Sequence, residues 1–374
     1  MADEMHETDV CVIGGGPSGL AAALALRQAG FDVIVADAAY PPIDKACGEG
    51  IMPDGLAALS ELCVRLDPRL GSPFAGIRLI NGTQAVAAPF QHGTGLGIRR
   101  AVLHQQLVDT AAGAGVRLLW KHRLAGLSHG RVLLDRGPVR CRWIVGADGQ
   151  QSRTRYHAGL EPETPGKVRF GIRQHFRIAP WSDFVEVHWS DCGEMYVTPV
   201  GQEDVCVAFL SSRKNLRFEQ ALPHFPALQS RLKNAIVDEP ARGAVTSSQR
   251  LNRVQWRQIA LIGEAAGSVD SITGEGLAIS FRQAIALAEA LRVGDLTGYE
   301  IAHRRIMRLP RAMAALMLSM DGRSAFRARV FRAFQAQPAI FARLLAVHTG
   351  SLSPAAFGVG DGLSLGWRLL TAKA

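Results

Sequence analysis

The chain has 374 residues, 48% hydrophobic and 20% charged, with a formal net charge of +9. That length exceeds one ordinary core and predicts two joined domains, with order expected from about residue 9 to near the end. The opening, Met1 to Glu7, is acidic where a secretory signal would be basic and then apolar, so none is expected, and no run reaches the ~18 apolar residues of a spanning helix. Six scattered cysteines (Cys11, Cys47, Cys63, Cys141, Cys192, Cys206) form no C-x-x-C pair, so neither a metal site nor a disulfide framework is expected. A reducing, cytoplasmic setting is the expected one.

The first predicted element is the apolar run Val10-Cys11-Val12-Ile13, which has the composition of a buried parallel strand. It breaks at Gly14-Gly15-Gly16-Pro17-Ser18-Gly19. An alanine-rich helix, Leu20 to Ala29, follows and closes on Gly30, and a second apolar strand, Val33 to Ala36, ends on Asp37. In this Gly14-x-Gly16-x-x-Gly19 fingerprint the first glycine permits the tight turn. The second lets the backbone approach a pyrophosphate, and the third lets strand and helix pack closely. The helix N-terminus at Pro17 and Ser18 then points its free N–H groups at the phosphates, and Asp37 is placed to accept the ribose hydroxyls. Dinucleotide binding is the expected function of this unit.

A proline- and glycine-rich excursion, Tyr40 to Gly55, precedes a predicted helix from Leu56 to about Cys63. Asn81-Gly82, between Ile77–Ile80 and Thr83–Ala88, predicts a hairpin. A helix from about Arg100 to Ala112, a strand Val116 to Trp120 and a small meander lead to Gly146-Ala147-Asp148-Gly149. From Val168 to Ser212 the strands alternate and follow one another without helices, which predicts an antiparallel second domain. A helix-like passage, Phe218 to Val237, precedes a return to the first domain through the apolar strand Gln258–Ile262 and a long helix, Leu277 to Leu291.

From Tyr299 to about His348 the chain reads as helical. Met313, Leu316, Met317 and Met320 lie on one apolar face and are read as packing. Between Tyr299 and Leu345 nine arginines face only Glu300 and Asp321, a balance of +7. No nucleic-acid module accompanies them, so nucleic acid is not expected. A solvated face is the plain reading, and contact with a membrane or an acidic carrier is the alternative. His175 and His188, on predicted strands, are read as satisfied structural residues.

Three motifs carry a family resemblance. Gly14-Gly-Gly-Pro-Ser-Gly19 near the start resembles FAD enzymes. Ile144-Val-Gly-Ala-Asp148-Gly149-x-x-Ser152-x-x-Arg155 resembles the Asp-Gly motif of single-component flavoprotein monooxygenases, and Ile262-Gly-Glu264-Ala-Ala-Gly267 resembles their Gly-Asp motif, with Glu264 where aspartate is usual. The resemblance implies that Asp148 lies near the FAD pyrophosphate and that Glu264 meets the ribityl hydroxyls. It implies that Arg100, opening its helix, reaches the phosphates and that Leu124 meets the adenine. Gly274, Gly276 and Leu277, at the start of the long helix, would face the flavin edge and stabilise its reduced, anionic form.

Lys45-Ala46-Cys47-Gly48-Glu49-Gly50-Ile51-Met52-Pro53 resembles the cysteine–glycine loop of geranylgeranyl reductase-like flavoproteins, which implies that Cys47 and Gly48 lie beside the isoalloxazine. Lys45, Cys47 and Glu49 are the candidate catalytic residues on that loop. Flavin halogenases share part of this loop, but their Trp-x-Trp pair is absent.

The expected fold is an α/β, Rossmann-like FAD domain of the two-dinucleotide-binding type, with an inserted antiparallel substrate sheet and a helical C-terminal cap. The expected boundaries are residues 1–75, 98–155 and 255–298 for FAD, 76–97 and 156–254 for substrate, and 299–374 for the cap. The leading expected activity is hydroxylation of an apolar aromatic or polyketide-like small molecule through a flavin C4a-hydroperoxide, with NAD(P)H as transient reductant. The rival is reduction of isoprenoid-like alkenes, and a carrier-bound or lipid-like substrate fits either.

Overall fold

The computed structural model describes residues 5–128, 130–162, 166–356 and 358. The first sheet grows around the strand His6–Ile13, whose second half is buried, with Val10, Cys11 and Val12 completely shielded from solvent. Order therefore starts earlier than expected, because Thr8 and its neighbours pair in parallel with Gly137–Gly146. Val33–Asp37 flanks the first strand on its other side, Arg117–Trp120 lies beyond it, and Ile259–Leu261 lies outside Gly137–Gly146. All four of these neighbouring pairs are parallel, as buried α/β sheets require. The helices Pro17–Gln28 and Gly276–Val293 pack on this sheet, joined by Leu20, Leu24, Phe281 and Leu287 in one apolar core. Gln255–Trp256 closes the edge as a short antiparallel hairpin that the sequence reading had not separated.

The second sheet runs antiparallel through Val168–Arg177, Asp204–Ser211, Gly193–Pro199 and Phe184–Ser190. It then takes up Gly76–Asn81 in parallel and turns into Gln84–Pro89 around Gly82, whose φ of 61° suits the Asn-Gly turn. A small three-stranded sheet (Gly50–Ile51, Gly95–Gly97, Ser72–Phe74) couples the two. Gly97 is required there, since a Cβ would lie 1.8 Å from the Pro199 carbonyl oxygen.

One expectation is corrected and one is met within the described residues. The passage 218–237 is not one helix but Phe218–Ala221, a 3-10 turn, Pro226–Leu232 and the strand Ile236–Val237, because Pro223 and Pro226 interrupt the ladder. The C-terminal region consists of Leu296–Leu318, Ser324–Ala336 and Pro338–His348, and the rest of the expected cap from 359 on lies outside the described residues. No helix among the described residues is long and apolar enough to cross a membrane.

Candidate active site

One cavity of about 890 Å³ follows the carboxyl ends of the first sheet and continues between the second sheet and the C-terminal helices. Gly14, Gly16, Pro17, Ser18, Asp37, Leu124, Asp148, Glu264, Gly274, Gly276 and Leu277 all line it, as do Lys45, Cys47, Gly48, Glu49 and Arg100. Gly19 stands behind the wall, where a Cβ would lie 1.8 Å from the Gly14 carbonyl oxygen. That contact is the close strand–helix approach the fingerprint needs.

The wall fits FAD on physical grounds. A Cβ on Gly16, Gly48, Gly274 or Gly276 would meet no protein atom within 4 Å, so the backbone is bare where a cofactor would touch it. The helices Pro17–Gln28 and Gly276–Val293 both begin at this wall with no side-chain cap, leaving first-turn N–H groups for an anion or an electron-rich edge. The buried Arg100 Nε has no partner. Ser18 joins the two helix starts: its hydroxyl donates to Ser280 Oγ at 2.9 Å, and Ser280 donates to the Gly276 carbonyl. Asp37 holds the glycine turn from below, accepting from the Gly15 N–H at 2.6 Å and the Ala39 N–H at 2.7 Å.

Asp148 is engaged by its own chain. It accepts from the Thr154 N–H at 2.9 Å and from the Ser152 and Thr154 hydroxyls, which shapes the backbone of the Asp-Gly turn. Glu264 receives Lys45 Nζ at 2.6 Å, and both side chains are more than a third exposed. The loop carrying Glu264 is held by Gln283, whose Oε1 accepts from the Gly263 N–H at 2.7 Å.

Glu49 differs most from its expected role. It was read as a flavin-facing charge able to move a proton or meet water, but its carboxylate is fully buried. It accepts from Arg173 Nη1 at 2.9 Å, lies 2.7 Å from His175 Nε2, and accepts from the Arg100 N–H at 2.9 Å, capping that helix from another part of the chain. Arg173 in turn grips Asp44 with both terminal nitrogens, at 2.8 and 2.9 Å. Desolvation opposes the charge of Arg173, but hydrogen bonds to Asp44 and the neighbouring carboxylates outweigh it and raise its pKa. Glu49, His175 and Cys206 place one ligand atom each within 4.8 Å of one another. The guanidinium of Arg173 already pairs with Glu49, which makes the trio a poor seat for a cation.

The effect is to fix the loop that holds Cys47. Thr198 Oγ1 donates to the Gly48 carbonyl at 2.7 Å, the Glu49 N–H points to Cys47 Sγ at 3.4 Å, and Glu49 itself adopts φ 59°. Cys47 remains half-buried on the cavity wall. Sequence reasoning missed His104, fully buried: the Ile43 N–H donates to its Nδ1 at 3.2 Å, so Nε2 carries the proton that meets the Gly15 carbonyl at 2.8 Å. Burial first, and Arg100 next among the opposing influences, lower its pKa and keep the ring neutral. His188 is likewise structural, 3.0 Å from Glu186.

Beyond the loop the cavity is apolar. Met313, Leu316, Met317 and Met320, expected to be packing, line this arm with Phe334 and Phe341. Behind the second glycine turn, His348 Nε2 meets the Thr273 carbonyl at 3.2 Å, and His348 Nδ1 faces Glu275 Oε2 at 3.5 Å. Burial, then the charge of Asp54, raises the Glu275 pKa to about 8, and burial lowers that of His348 to about 4. These shifts favour a protonated carboxyl facing a neutral imidazole.

A Rossmann-like sheet with bare glycine turns at two helix starts, opening beside an antiparallel substrate sheet, defines an FAD-dependent oxidoreductase. Comparison agrees: residues 7–293 match the FAD binding domain family, and the chain belongs to it. It is similar to the menaquinone reductase of Mycolicibacterium smegmatis, 28% identical over 324 residues covering 79% of this chain and 78% of that one. It is also similar to digeranylgeranylglycerophospholipid reductase 2 of Methanosphaera stadtmanae (27% over 330 residues; 78% and 80%). The ubiquinone hydroxylase UbiL of Rhodospirillum rubrum shows 27% identity over 332 residues (78% and 74%). Among solved structures, a flavoprotein/dehydrogenase from Cytophaga hutchinsonii superposes with a TM-score of 0.82 at 16% identity, covering 98% of this chain and all of that one.

Proposed function

We propose that this protein reduces a carbon–carbon double bond in a polyisoprenoid lipid. The observation that carries the proposal is the apolar arm of the cavity, which runs from the Cys47 loop between the second sheet and the methionine- and phenylalanine-lined helices. An elongated hydrocarbon fits such an arm, whereas a compact polar aromatic would leave most of it unfilled. Unbranched, polarisable methionine side chains adapt to a flexible chain. The similarity to a reductase of digeranylgeranylglycerophospholipid supports a substrate of this chemistry.

Reduced FAD, held at this wall, would be the hydride source for one alkene carbon. The bare glycines 16, 48, 274 and 276 and the two helix starts bind and orient the cofactor. The Glu49–Arg173–His175 network fixes the loop so that Cys47 stands on the cavity wall. Cys47 is assigned the proton that the second alkene carbon takes up, and water restores it. The balance is one hydride and one proton added across the bond. NAD(P)H is the proposed source of electrons, and among the described residues only one strand–glycine–helix dinucleotide unit is present, so it would visit transiently.

Hydroxylation is the second reading, favoured by the Asp148-Gly149 motif and the similarity to UbiL. Mass analysis of a geranylgeranyl lipid incubated with protein and NAD(P)H or dithionite distinguishes the two. A gain of two hydrogens per bond without oxygen supports the reductase. A gain of one oxygen atom, seen only in air, overturns it.

A further inference from the structure

The hairpin that closes the first sheet is unusual for an edge. Trp256 is 43% exposed at its tip, with the guanidinium of Arg253 5.9 Å and that of Arg257 5.7 Å from its ring. An exposed tryptophan between arginines contributes little to a core. The helix Leu296–Leu318 crosses beside this hairpin: Arg304 donates to the Asn252 carbonyl at 3.3 Å, and the charge of Arg250 acts, after burial, to lower the Arg311 pKa.

That helix presents Ile301, Arg305, Arg308, Ala312, Ala315 and Leu316 to solvent. Their spacing of three and four residues places them on one stripe. Its first part is basic and its far end apolar. Leu316, 42% exposed, also lines the cavity, so the stripe ends at the mouth of the apolar arm. From Arg308 to Leu316 is about 12 Å along the helix. The acids at this end of the helix are Asp295, which caps its first turn, and Glu300, already paired with Arg304.

We propose that the Arg253–Arg257 hairpin and this helix stripe form a docking surface for an anionic phospholipid membrane. The arginines would meet headgroup phosphates while Trp256 and Ile301 sit at the interface, where an amphipathic ring is favoured. Docking this way sets Leu316 and the cavity mouth against the lipid, so a membrane-held hydrocarbon chain reaches the site without crossing water. The surface takes its purpose from the lipid-substrate reading above, but its binding is measured independently of turnover.

The test is flotation of the full FAD-loaded chain with vesicles of phosphatidylcholine alone or mixed with phosphatidylglycerol. Binding is expected to the mixed vesicles only, weakening as salt rises, with a tryptophan blue shift that Trp256→Phe removes. Arg253→Glu/Arg257→Glu/Arg305→Glu should lower partitioning about tenfold or more, with FAD content, melting and turnover of a detergent-dispersed substrate unchanged. Equal binding to neutral vesicles, or full binding by the triple variant, overturns the proposal. Retention of duplex DNA without flotation overturns it too, assigning the basic face to nucleic acid. If flotation behaves as expected but no dispersed lipid is reduced, docking stands and the reductase reading fails.

Discussion

At the scale of single residues, function here depends on where backbone is left bare and where charge is buried. Gly16→Val would put a branched side chain into the space where backbone meets the cofactor. Purified variant protein should be colourless, and full FAD occupancy would refute the placement of the pyrophosphate. Glu264→Ala should weaken FAD binding by about 1.5–3 kcal/mol, with Glu264→Asp close to the parent. The Lys45 contact adds little to this because both groups are partly exposed. An unchanged affinity on titration with FAD would place the ribityl chain elsewhere. Glu49→Ala leaves His175 Nε2 without its buried partner and leaves Arg173 only its pair with Asp44, and should cost about 1–3 kcal/mol by urea unfolding, with coupling expected in the double variant that also lacks His175. Additive losses would show that Glu49 stabilises only by capping the helix at Arg100.

At the scale of elements, the second glycine turn is tied to the helix Pro338–His348 by His348 Nε2 on the Thr273 carbonyl, and the buried Glu275 and His348 beside that contact have a pH signature. Glu275 has a folded pKa of about 8, above its unfolded value near 4.5. Its contribution is therefore fully present below pH ~4.5 and is lost as pH rises toward 8. His348, at about 4 in the fold and about 6.5 when unfolded, contributes above pH ~6.5 and loses it as pH falls toward 4. Glu275→Gln should raise the melting temperature relative to the parent at pH 8 and above, with little difference at pH 5. A constant offset across pH would mean that Glu275 is ionised in the fold.

What the sequence made legible at this scale was local. Strand, glycine turn, helix and acid between Val10 and Asp37 are neighbours in the chain, so one spacing defines the unit. Glu49 was misread because its partners lie 124 and 126 residues away on a strand of the other sheet. The methionine stripe packs as expected, Met320 buried in the second core and Met317 against it, but the cavity it also lines was not legible because an apolar helix face has the same period whether it meets a core or a cavity. The edge hairpin at Gln255–Trp256 is too short to show alternation at all.

At the scale of the whole molecule, the two sheets and the C-terminal helices meet around one cavity with two characters. Its first part is a groove of bare glycines and helix starts, and its second part is a hydrocarbon-lined arm. The Cys47 loop lies where they join, held by Thr198 from one strand of the substrate sheet and by Arg173 and His175 from another. On the proposed function, this arrangement would bring one end of a cofactor to one bond of a long apolar molecule. The most direct test is to reduce the FAD-loaded protein anaerobically with one equivalent of dithionite and mix it with a geranylgeranyl lipid while following flavin absorbance. The account predicts that oxidised flavin returns without oxygen, matched by one saturated bond per flavin, and that Cys47→Ala slows the return. A flavin that stays reduced until air is admitted, with oxygen then found in the lipid, would contradict it.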